Sequence, residues 1–574
     1  MPPRRGSQRA LAVARGDQPA DLLLKGGRVF VPGTREWVRT DLAIADGVVA
    51  GWGPREAHEV AEVDGASLTA GFIDPHMHLE STKLWVDEFV RTVLPHGTTA
   101  VAADPHELAN VFGVPGVVAL VEAASRLPFT FGVCASSCVP ASPFESPGAE
   151  LGHAEVAQLL DEHGAIGLAE VMNFPAVING DPEMLAKIAA AGWRRVDGHA
   201  PGILGRQLDA YLAAGVESDH ECTDLDEAEE KRRKGMWLFV REGSASRNLA
   251  ALIGTVTRHG TDRVALCTDD REPDTLIREG HLNDCVRLAV AAGVVLEDAL
   301  VLATSNPADY HHFDHLGWLA PGYQADILCF DDIATFEPAR VWQAGRLVAV
   351  DGRVVPGAVP SQKAPEWMLQ SVHLDELPSP ACFDLMPPDG GRARVIAVEA
   401  RSLSTKDVVM DVTLAGADVA RIGVVERHRR TGRVGLGYVT GFGLVRGAMA
   451  STVAHDAHNC MVIGCRGTSG PDEMAAAVAR LAEMGGGQVA VLDGRVVGEV
   501  PLPVGGLMST RGAAEVAGEV ERLAAAVSKV LGVTLDAPFM QLSFLGLSVI
   551  PELRITDRGL VDVRTFSLTH VGAV

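Results

Sequence analysis

The sequence predicts an α/β protein whose core is a (β/α)8, TIM-type barrel, with a flanking small β domain and a C-terminal α+β domain. Two observations predict the barrel. Eight short apolar runs each end in a polar or charged residue, and stretches with helical periodicity lie between them. Strands that alternate with helices form parallel sheets, and the active site of such a barrel lies at the carboxyl ends of its strands. The polar residues that end the runs are therefore the first candidates for a functional site.

The eight runs follow one another through the first half of the chain. The first is GFIDPHMHLE, in which an apolar strand leads into two histidines. Helical periodicity is clearest between the later runs, at residues 117–126, 182–191, 224–234 and 246–259. The runs themselves are residues 71–80, 98–104, 129–136, 166–173, 195–199, 216–220, 236–242 and 264–269.

The ends of these runs carry a set of nitrogen and oxygen ligands. His76 and His78 are two apart on a strand, so both imidazoles point to one face, as two ligands of one metal ion must. A set without cysteine suits zinc, manganese or ferrous iron. There are more ligands than one ion needs, and a carboxylate such as Glu170 could bridge two ions that share a nucleophilic hydroxide. The other run ends are Asp104, His199, His220, and Asp269 with Asp270. Because neighbouring strand residues face opposite ways, we expect only Asp269 of the last pair to face the metals.

Segments on either side of the barrel predict the remaining domains. Residues 21–31 and 41–52 form alternating strands with a turn at Asp46-Gly47, and residues 325–330, 341–350 and 353–356 are similar. One clear helix, residues 471–484, ends at a run of glycines. The predicted organisation is a flexible tail (1–19), a small β-sheet domain (20–70 with 320–358), the barrel (71–319), a Pro-rich linker (359–390) and the C-terminal domain (391–574).

Composition excludes several classes of function. The net charge of −24, from 50 basic and 74 acidic residues, argues against a nucleic-acid partner, which needs a basic surface. No uninterrupted apolar stretch approaches the ~18–20 residues of a membrane span, and the basic start has no apolar core of a secretory signal. Nine cysteines without regular spacing fit reduced thiols, so we expect a cytoplasmic enzyme.

Some motifs have weaker interpretations. His106-Glu107-Leu108-Ala109-Asn110 begins like a zincin helix, but Asn110 stands where the second histidine is required. The chain has no Pro-Cys-x-x-Cys signature of the cytidine-type zinc deaminases. The motif AHDAHN, with His455, Asp456 and His458, predicts a loop near the barrel mouth, and direct metal ligation is the alternative.

Several longer sequence motifs, spread along most of the chain, resemble those of one family. They include GFIDPHMHLEST, DPHELANVFG, GLAEVMNFP, DGHAPG, SDHEC, REGSA, CTDDREPD, EGHL, PLPVGGLMS and FLGLSVIPELRITDRGLVD. Over residues 20 to 565 the chain resembles bacterial adenine deaminases of the amidohydrolase superfamily.

The resemblance implies roles for individual residues. It implies two divalent transition-metal ions, manganese or iron with zinc as a further candidate, held by His76, His78, Glu170, His199, His220 and Asp269. Among these it implies catalytic roles for Asp269, Glu170 and His220. Candidates for contacts with the substrate or with the metal ligands are Asp104, His106, Glu107, Arg241, Glu242, Ser244, Asp270 and His281.

The implied reaction is the hydrolysis of adenine to hypoxanthine and ammonia by a metal-activated hydroxide, a step of purine salvage, in a homo-oligomer of two or more chains. Three residues depart from the family pattern, Glu272, Asn283 and Asp284, and they lie close enough to the eighth run for a changed base preference to be reasonable. The alternatives are a deaminase of an N6-substituted adenine or another purine base, a cyclic-amide amidohydrolase, and a noncatalytic metal-binding paralogue.

Overall fold

The computed structural model describes residues 7–244, 246–399, 404–414 and 416–572. The described part begins with helix α1 (Gln8–Arg15), whose Val13 is fully buried against the first β-sheet. The prediction of a flexible tail is therefore wrong for this helix, because an apolar side chain anchors it; residues 1–6 lie outside the described residues. Five strands follow: β1 (Ala20–Val31), β2 (Glu36–Ala45), β3 (Val48–Trp52), β4 (Ala57–Glu62) and β5 (Ser67–Ala70).

The barrel comes next, and each of its strands lies within one of the eight predicted runs. All eight are short, and most of their residues are buried, as parallel strands covered on both faces require. The strands are β6 (Phe72–Met77), β7 (Thr98–Ala103), β8 (Thr130–Val133), β9 (Gly167–Val171), β10 (Arg195–Gly198), β11 (Ser218–Asp219), β12 (Trp237–Arg241) and β13 (Val264–Cys267).

Backbone contacts close these strands into a ring. Strands β6–β7–β8, β9–β10 and β11–β12–β13 pair in parallel. A bridge between Ala135 and Leu168 joins β8 to β9, and the amide of Glu217 donates to the carbonyl of Val196 between β10 and β11. The last junction lies between β13 and β6, where the amide of Asp269 donates to the carbonyl of His76. The predicted (β/α)8 barrel is confirmed.

Helices surround the ring. Among the described residues, one helix, α3 (His106–Ala124), is long and apolar enough by length and composition to cross a membrane, but 61% of its apolar window is buried inside the fold. It also kinks at Gly113, where φ is 64°. The predicted helix 246–259 is two short helices. The barrel helices are α2 (Val86–Val93), α3 (His106–Ala124), α4 (His153–Asp161), α5 (Phe174–Ile178), α6 (Pro182–Ala190), α7 (Gly205–Ala213), α8 (Leu225–Arg233), α9 (Leu249–Leu252), α10 (Gly254–His259), α11 (Pro273–Glu279), α12 (Leu282–Ala291), α13 (Leu296–Ala303) and α14 (Ser305–Tyr310).

After the barrel the chain returns to the first sheet. Strand β14 (Ile327–Phe330) pairs antiparallel with β5, so segments from both sides of the barrel share one nine-stranded sheet. The predicted turn at Asp46-Gly47 is confirmed, since both residues have the positive φ of a tight hairpin turn. The returning strands are β14 (Ile327–Phe330), β15 (Arg340–Gln343), β16 (Arg346–Val350) and β17 (Arg353–Val354).

Residues 359–390 contain only short 3-10 turns, yet they are anchored along their length. Met368 and Phe383 are fully buried, and the amide of Gly505 donates to the carbonyl of Met368. The segment predicted as a linker therefore packs against barrel helix α2, through Asp87 and Arg91, and against the domain that follows.

The C-terminal domain is built on a second large sheet. Its eight strands run in the order β19-β18-β21-β20-β23-β22-β24-β25, and β26–β28 form a separate small sheet. The predicted helix is present as α15, ended by Gly485 in the left-handed conformation; α16 and α17 were not predicted. The elements are β18 (Arg392–Val398), β19 (Thr405–Asp411), β20 (Ala420–Val425), β21 (Val434–Thr440), β22 (Ala448–Ser451), β23 (Cys460–Gly464), α15 (Gly470–Met484), β24 (Gly487–Leu492), β25 (Arg495–Pro501), α16 (Ala513–Ala526), α17 (Pro538–Phe544), β26 (Leu553–Thr556), β27 (Gly559–Asp562) and β28 (Ser567–Thr569).

One continuous apolar core joins the barrel to the C-terminal domain. It contains Leu84 and Leu108 of the barrel together with Met508 and Phe539 of the C-terminal domain. Burial of apolar surface across this boundary holds the C-terminal domain over the carboxyl ends of the barrel strands, which is where the polar run ends lie.

Candidate metal centre

The two histidines of the first run, His76 and His78, lie close to Asp269, the aspartate that ends the eighth run. His76 and His78 lie at and just beyond the end of β6, and their Nε2 atoms lie 3.3 Å and 3.1 Å from Oδ1 of Asp269. All three side chains are buried. One carboxylate oxygen therefore faces both imidazoles, an arrangement that one metal ion could fill.

Glu170, at the end of β9, lies between this trio and a second pair of histidines. Its Oε1 is 3.4 Å from Nε2 of His78. Its Oε2 is 2.7 Å from Nδ1 of His199 and 3.3 Å from Nε2 of His220. Burial raises the pKa of this carboxyl, but the two histidines outweigh burial and hold the pKa well below its usual 4.5. Each of its oxygens thus faces a different group of imidazoles, as a bridging carboxylate requires.

Asp269 reaches the centre from a turn. Strand β13 ends at Cys267, and Asp269 has a φ of 56°, in the left-handed region that a residue other than glycine rarely adopts. Strand alternation therefore does not apply, and the expectation that Asp270 faces away from the metals on that ground is wrong. Both aspartates line one pocket, and Ser81 donates a hydrogen bond to Asp270.

The residues present fit divalent cations. Two buried ring nitrogens of the centre have no hydrogen-bond partner, which folded proteins rarely tolerate. They are Nε2 of His76 and Nε2 of His199. Burial lowers the pKa of His199, but Glu221 and Glu170 outweigh burial and raise this pKa to about 9. The centre thus holds an excess of carboxylate that cations would balance.

Two further predicted residues support the centre. The main-chain carbonyl of Asp104 lies 3.0 Å from Nδ1 of His78, which orients that ring with Nε2 toward the centre. Arg241 donates to Oδ2 of Asp269 at 2.8 Å and also pairs with Glu221. Both side chains are buried.

Three predicted candidates lie elsewhere. His281 is buried behind the strands, where Nδ1 is 2.8 Å from the hydroxyl of Thr98. Glu242 accepts from the amide of Leu249 rather than facing the centre. Ser244 donates to Thr275 and lines an outer cavity; Ala245 of the REGSA motif lies outside the described residues.

The pocket has an inner and an outer part. The inner part, about 30 Å³, has room for about two water molecules and is lined by five of the six metal-ligand candidates, all but His76. An outer cavity of about 700 Å³ shares Glu221, Arg241 and Ile550 with it. The inner part and the outer cavity therefore meet at these three residues.

Comparisons with known proteins agree with this geometry. Residues 67–355 match the amidohydrolase family, and residues 397–567 match the adenine deaminase C-terminal domain. Adenine deaminase 2 of Carboxydothermus hydrogenoformans is 43% identical over 568 residues, 97% of this chain and 98% of that protein. Adenine deaminase of Methanothrix thermoacetophila is 43% identical over 566 residues, with the same coverage.

The chain belongs to the adenine deaminase family. A solved structure, L-hydantoinase (dihydropyrimidinase) from Arthrobacter aurescens, aligns with 58% of this chain and 97% of its own, with 16% identity and a TM-score of 0.45.

In this member of the adenine deaminase family, the three departures lie outside the inner pocket. Glu272 pairs with the buried amine of Lys83. Asn283 accepts from the amide of His281, and Asp284 pairs with Arg271 at 2.7 Å. All three side chains are engaged by the scaffold, so their positions do not support a changed base preference.

Sequence reasoning missed several pocket residues. Glu221 directly follows His220 in SDHEC, and its carboxylate lies 3.5 Å from Nε2 of that histidine. Its position directly after His220, the last residue of the sixth run, could have identified it as a candidate. Most of the apolar lining had no such signal, because α17 and the loop after it are far from the barrel in sequence; that part is Phe544, Leu547 and Ile550. Met172, which completes the lining, directly follows β9.

Proposed function

We propose that this protein catalyses the hydrolytic deamination of adenine to hypoxanthine and ammonia. One observation carries the proposal: a chain of the adenine deaminase family gathers six buried metal-ligand candidates at the carboxyl ends of its barrel strands. Relatives that match over 98% of their own length are named adenine deaminase. The six side chains are His76, His78, Glu170, His199, His220 and Asp269.

We assign the cofactor as two divalent transition-metal ions, manganese or iron, with zinc as a further candidate. His76, His78 and Asp269 would hold one ion, His199 and His220 the other, and Glu170 would lie between them. Bound there, such ions lower the pKa of water so that it is nucleophilic near neutral pH.

Asp269 is the proton carrier in this proposal. Water adds its oxygen to C6 of the base, and Asp269 accepts the proton that the water loses. As C6 becomes tetrahedral, the ring nitrogen beside C6 takes up a proton from solvent, and the hydroxyl on C6 returns one proton to solvent when the carbonyl of hypoxanthine forms. Asp269 then returns its proton to the amine, so that the C6–N bond breaks with ammonia rather than an amide anion as the leaving group.

Arg241 and Glu221 prepare the pocket for the base. Burial raises the pKa of Asp269, but Arg241 and the facing histidines outweigh burial and hold it well below 3.8. Arg241, with His199 and His220, also lowers the pKa of Glu221 against the effect of burial. Glu221 lies where the inner pocket meets the outer cavity, so we assign it as a hydrogen-bond acceptor for a ring N–H.

The C-terminal domain supplies the apolar wall. Phe544 ends α17, and Leu547 and Ile550 follow it along the same pocket. A wall of this kind suits the flat, weakly polar faces of a purine and excludes water from the reacting carbon. We therefore assign this wall to binding of the purine base.

We also propose that the enzyme is a cytoplasmic homo-oligomer. The nine cysteines are free thiols, and eight of them are buried, which fits a reducing compartment.

A screen of purine bases tests the proposed reaction. Adenine should lose absorbance as hypoxanthine forms, with one ammonia released for each base. If adenine is inert, N6-substituted adenines are the next substrates to measure. Turnover of hydantoins or dihydropyrimidines without turnover of any purine would replace deamination by the cyclic-amide reaction.

A further inference from the structure

A second cluster of buried ligand-type side chains lies where the barrel meets the C-terminal domain. His106 and Glu107 begin α3 of the barrel. His455 and Asp456 lie in the loop between β22 and β23 of the C-terminal domain. All four side chains are buried, and we refer to them as the interdomain cluster.

The distances between nitrogen and oxygen atoms in the interdomain cluster are longer than those of hydrogen bonds. Nε2 of His106 and Nδ1 of His455 each lie 3.7 Å from Oδ1 of Asp456. Nδ1 of His455 lies 3.8 Å from Oε1 of Glu107. These distances exceed ordinary hydrogen bonds. Tetrahedral bonds of ~2.0–2.2 Å place ligand atoms about 3.3–3.6 Å apart, so the cluster is a few tenths of an ångström wider than a ligand shell.

Several atoms of the cluster have no hydrogen-bond partner. They are Nε2 of His106, Oε2 of Glu107 and Oδ2 of Asp456, all inaccessible to solvent. Among the described residues, no lysine or arginine forms an ion pair with either carboxylate, whose pairs are with histidines. Buried carboxylates normally require a paired cation, so the cluster is incomplete as protein alone.

Neighbouring groups orient the histidines of the cluster. Oδ2 of Asp104 lies 3.3 Å from Nδ1 of His106, which leaves Nε2 facing the cluster. A carboxylate behind a metal-binding histidine is the usual support of such a ligand. The ring of His455 stacks on Phe544, with ring centres 4.6 Å apart and planes 11° apart.

His458 lies beside the cluster without being a ligand. The amide of Ala454 donates to its Nδ1 at 3.0 Å, so the proton of the neutral ring is on Nε2. Nε2 lies 3.5 Å from Oε2 of Glu107, which is too far for an ordinary hydrogen bond. The ring has no free lone pair toward the cluster, so we leave His458 out of the ligand set.

We propose that the interdomain cluster binds a third divalent cation, held by His106, Glu107, His455 and Asp456. Two imidazoles and two carboxylates suit zinc, manganese or ferrous iron. Each domain contributes one histidine and one carboxylate, so the cation fastens the C-terminal domain over the barrel mouth. Since His455 and Asp456 also line the inner pocket, it fixes one wall of that pocket. This role lies beyond the proposed deamination and does not depend on it.

Metal content of the full-length protein tests this site. The holoenzyme and each variant are dialysed against buffered Mn²⁺, and manganese per chain is measured by mass spectrometry. We expect three ions in the native protein, and two in Glu107→Gln and in Asp456→Asn, which keep the side-chain shape. Asp557→Asn is the matched control. Asp557 is a buried carboxylate that accepts from the amide and hydroxyl of Ser146 across the same domain boundary, so this variant should keep three ions.

Two ions in the native protein and in all three variants would overturn the proposal. If the variants prove insoluble, anomalous diffraction at the manganese edge decides with native crystals. A peak between His106 and His455 supports the third site, and its absence overturns the site. Adenine turnover on the same preparations is a separate result: two ions with full deamination rejects only the third site, whereas three ions without deamination rejects only the proposed function.

Discussion

Arg241 holds one oxygen of Asp269 and leaves the other facing the metal-ligand histidines. Nη1 of Arg241 lies 2.8 Å from Oδ2, while Oδ1 lies 3.1 Å from Nε2 of His78. The two residues come from neighbouring strand ends of the barrel, and both are buried. The arginine thereby both orients the proposed proton carrier and stabilises its charge.

This relationship predicts a change in the pH profile. Arg241→Met removes the charge that lowers the pKa of Asp269, while burial, which raises that pKa, remains. A higher pKa means that Asp269 becomes protonated, and thus unable to accept a proton, at a higher pH. The acid limb of the kcat profile for adenine should move to higher pH. Arg247→Met, at the rim of the outer cavity, should leave that limb in place. An unchanged limb in Arg241→Met would contradict the assignment.

Removal of metal should abolish turnover. The buried, unpartnered nitrogens of the centre predict that the protein needs divalent cations to deaminate adenine. Dialysis against a chelator should stop ammonia release, and added Mn²⁺ should restore part of it. Metal content is measured beside activity at each step. Full activity in metal-free protein would refute the centre as a whole.

Three neighbouring carboxylates should give three different defects. Asp269→Asn keeps an oxygen ligand but cannot accept a proton, so kcat should fall by about 10²–10⁴ with much of the metal retained. Glu170→Gln loses the charge between the two histidine groups and should lose metal as well as activity. Asp270→Asn should mainly raise KM, because Asp270 lines the pocket. Its carboxylate accepts a hydrogen bond from Ser81 there. Metal analysis and steady-state kinetics separate the three. If Asp270→Asn is inactive and Asp269→Asn nearly normal, their roles must be exchanged.

The departure at Glu272 should not alter the choice of base. Its carboxylate pairs with Lys83 rather than lining the inner pocket. Glu272→His should therefore leave the ratio of kcat/KM values for adenine and N6-methyladenine unchanged. Thermal unfolding of the same variant is measured beside the kinetics. We expect a lower Tm, because the buried amine of Lys83 loses its partner. A large change in the substrate ratio would show that the loop after the eighth strand contacts the base.

Much of the barrel and of its metal centre could be predicted from local pattern. A buried parallel strand must be apolar until it reaches the open end of the barrel, so the change to a polar residue indicates where each strand ends. That rule predicts that His76, Glu170, His199 and Asp269 lie close together at one end of the barrel. The first helix escaped prediction because a single apolar residue, Val13, anchors it.

Tertiary structure decided what local pattern cannot encode. The pairing of Arg241 with both Glu221 and Asp269 depends on three adjacent strand ends, and the turn at Asp269 cancels the alternation that a strand would impose. The placing of His455, Asp456 and Phe544 at the pocket depends on a core shared by domains hundreds of residues apart. Sequence by itself determined the order of strands and the kinds of ligand, since both follow from short-range periodicity and residue chemistry. Which side chains share a pocket is set by contacts between distant segments, which form only when the apolar surfaces of barrel and C-terminal domain are buried together.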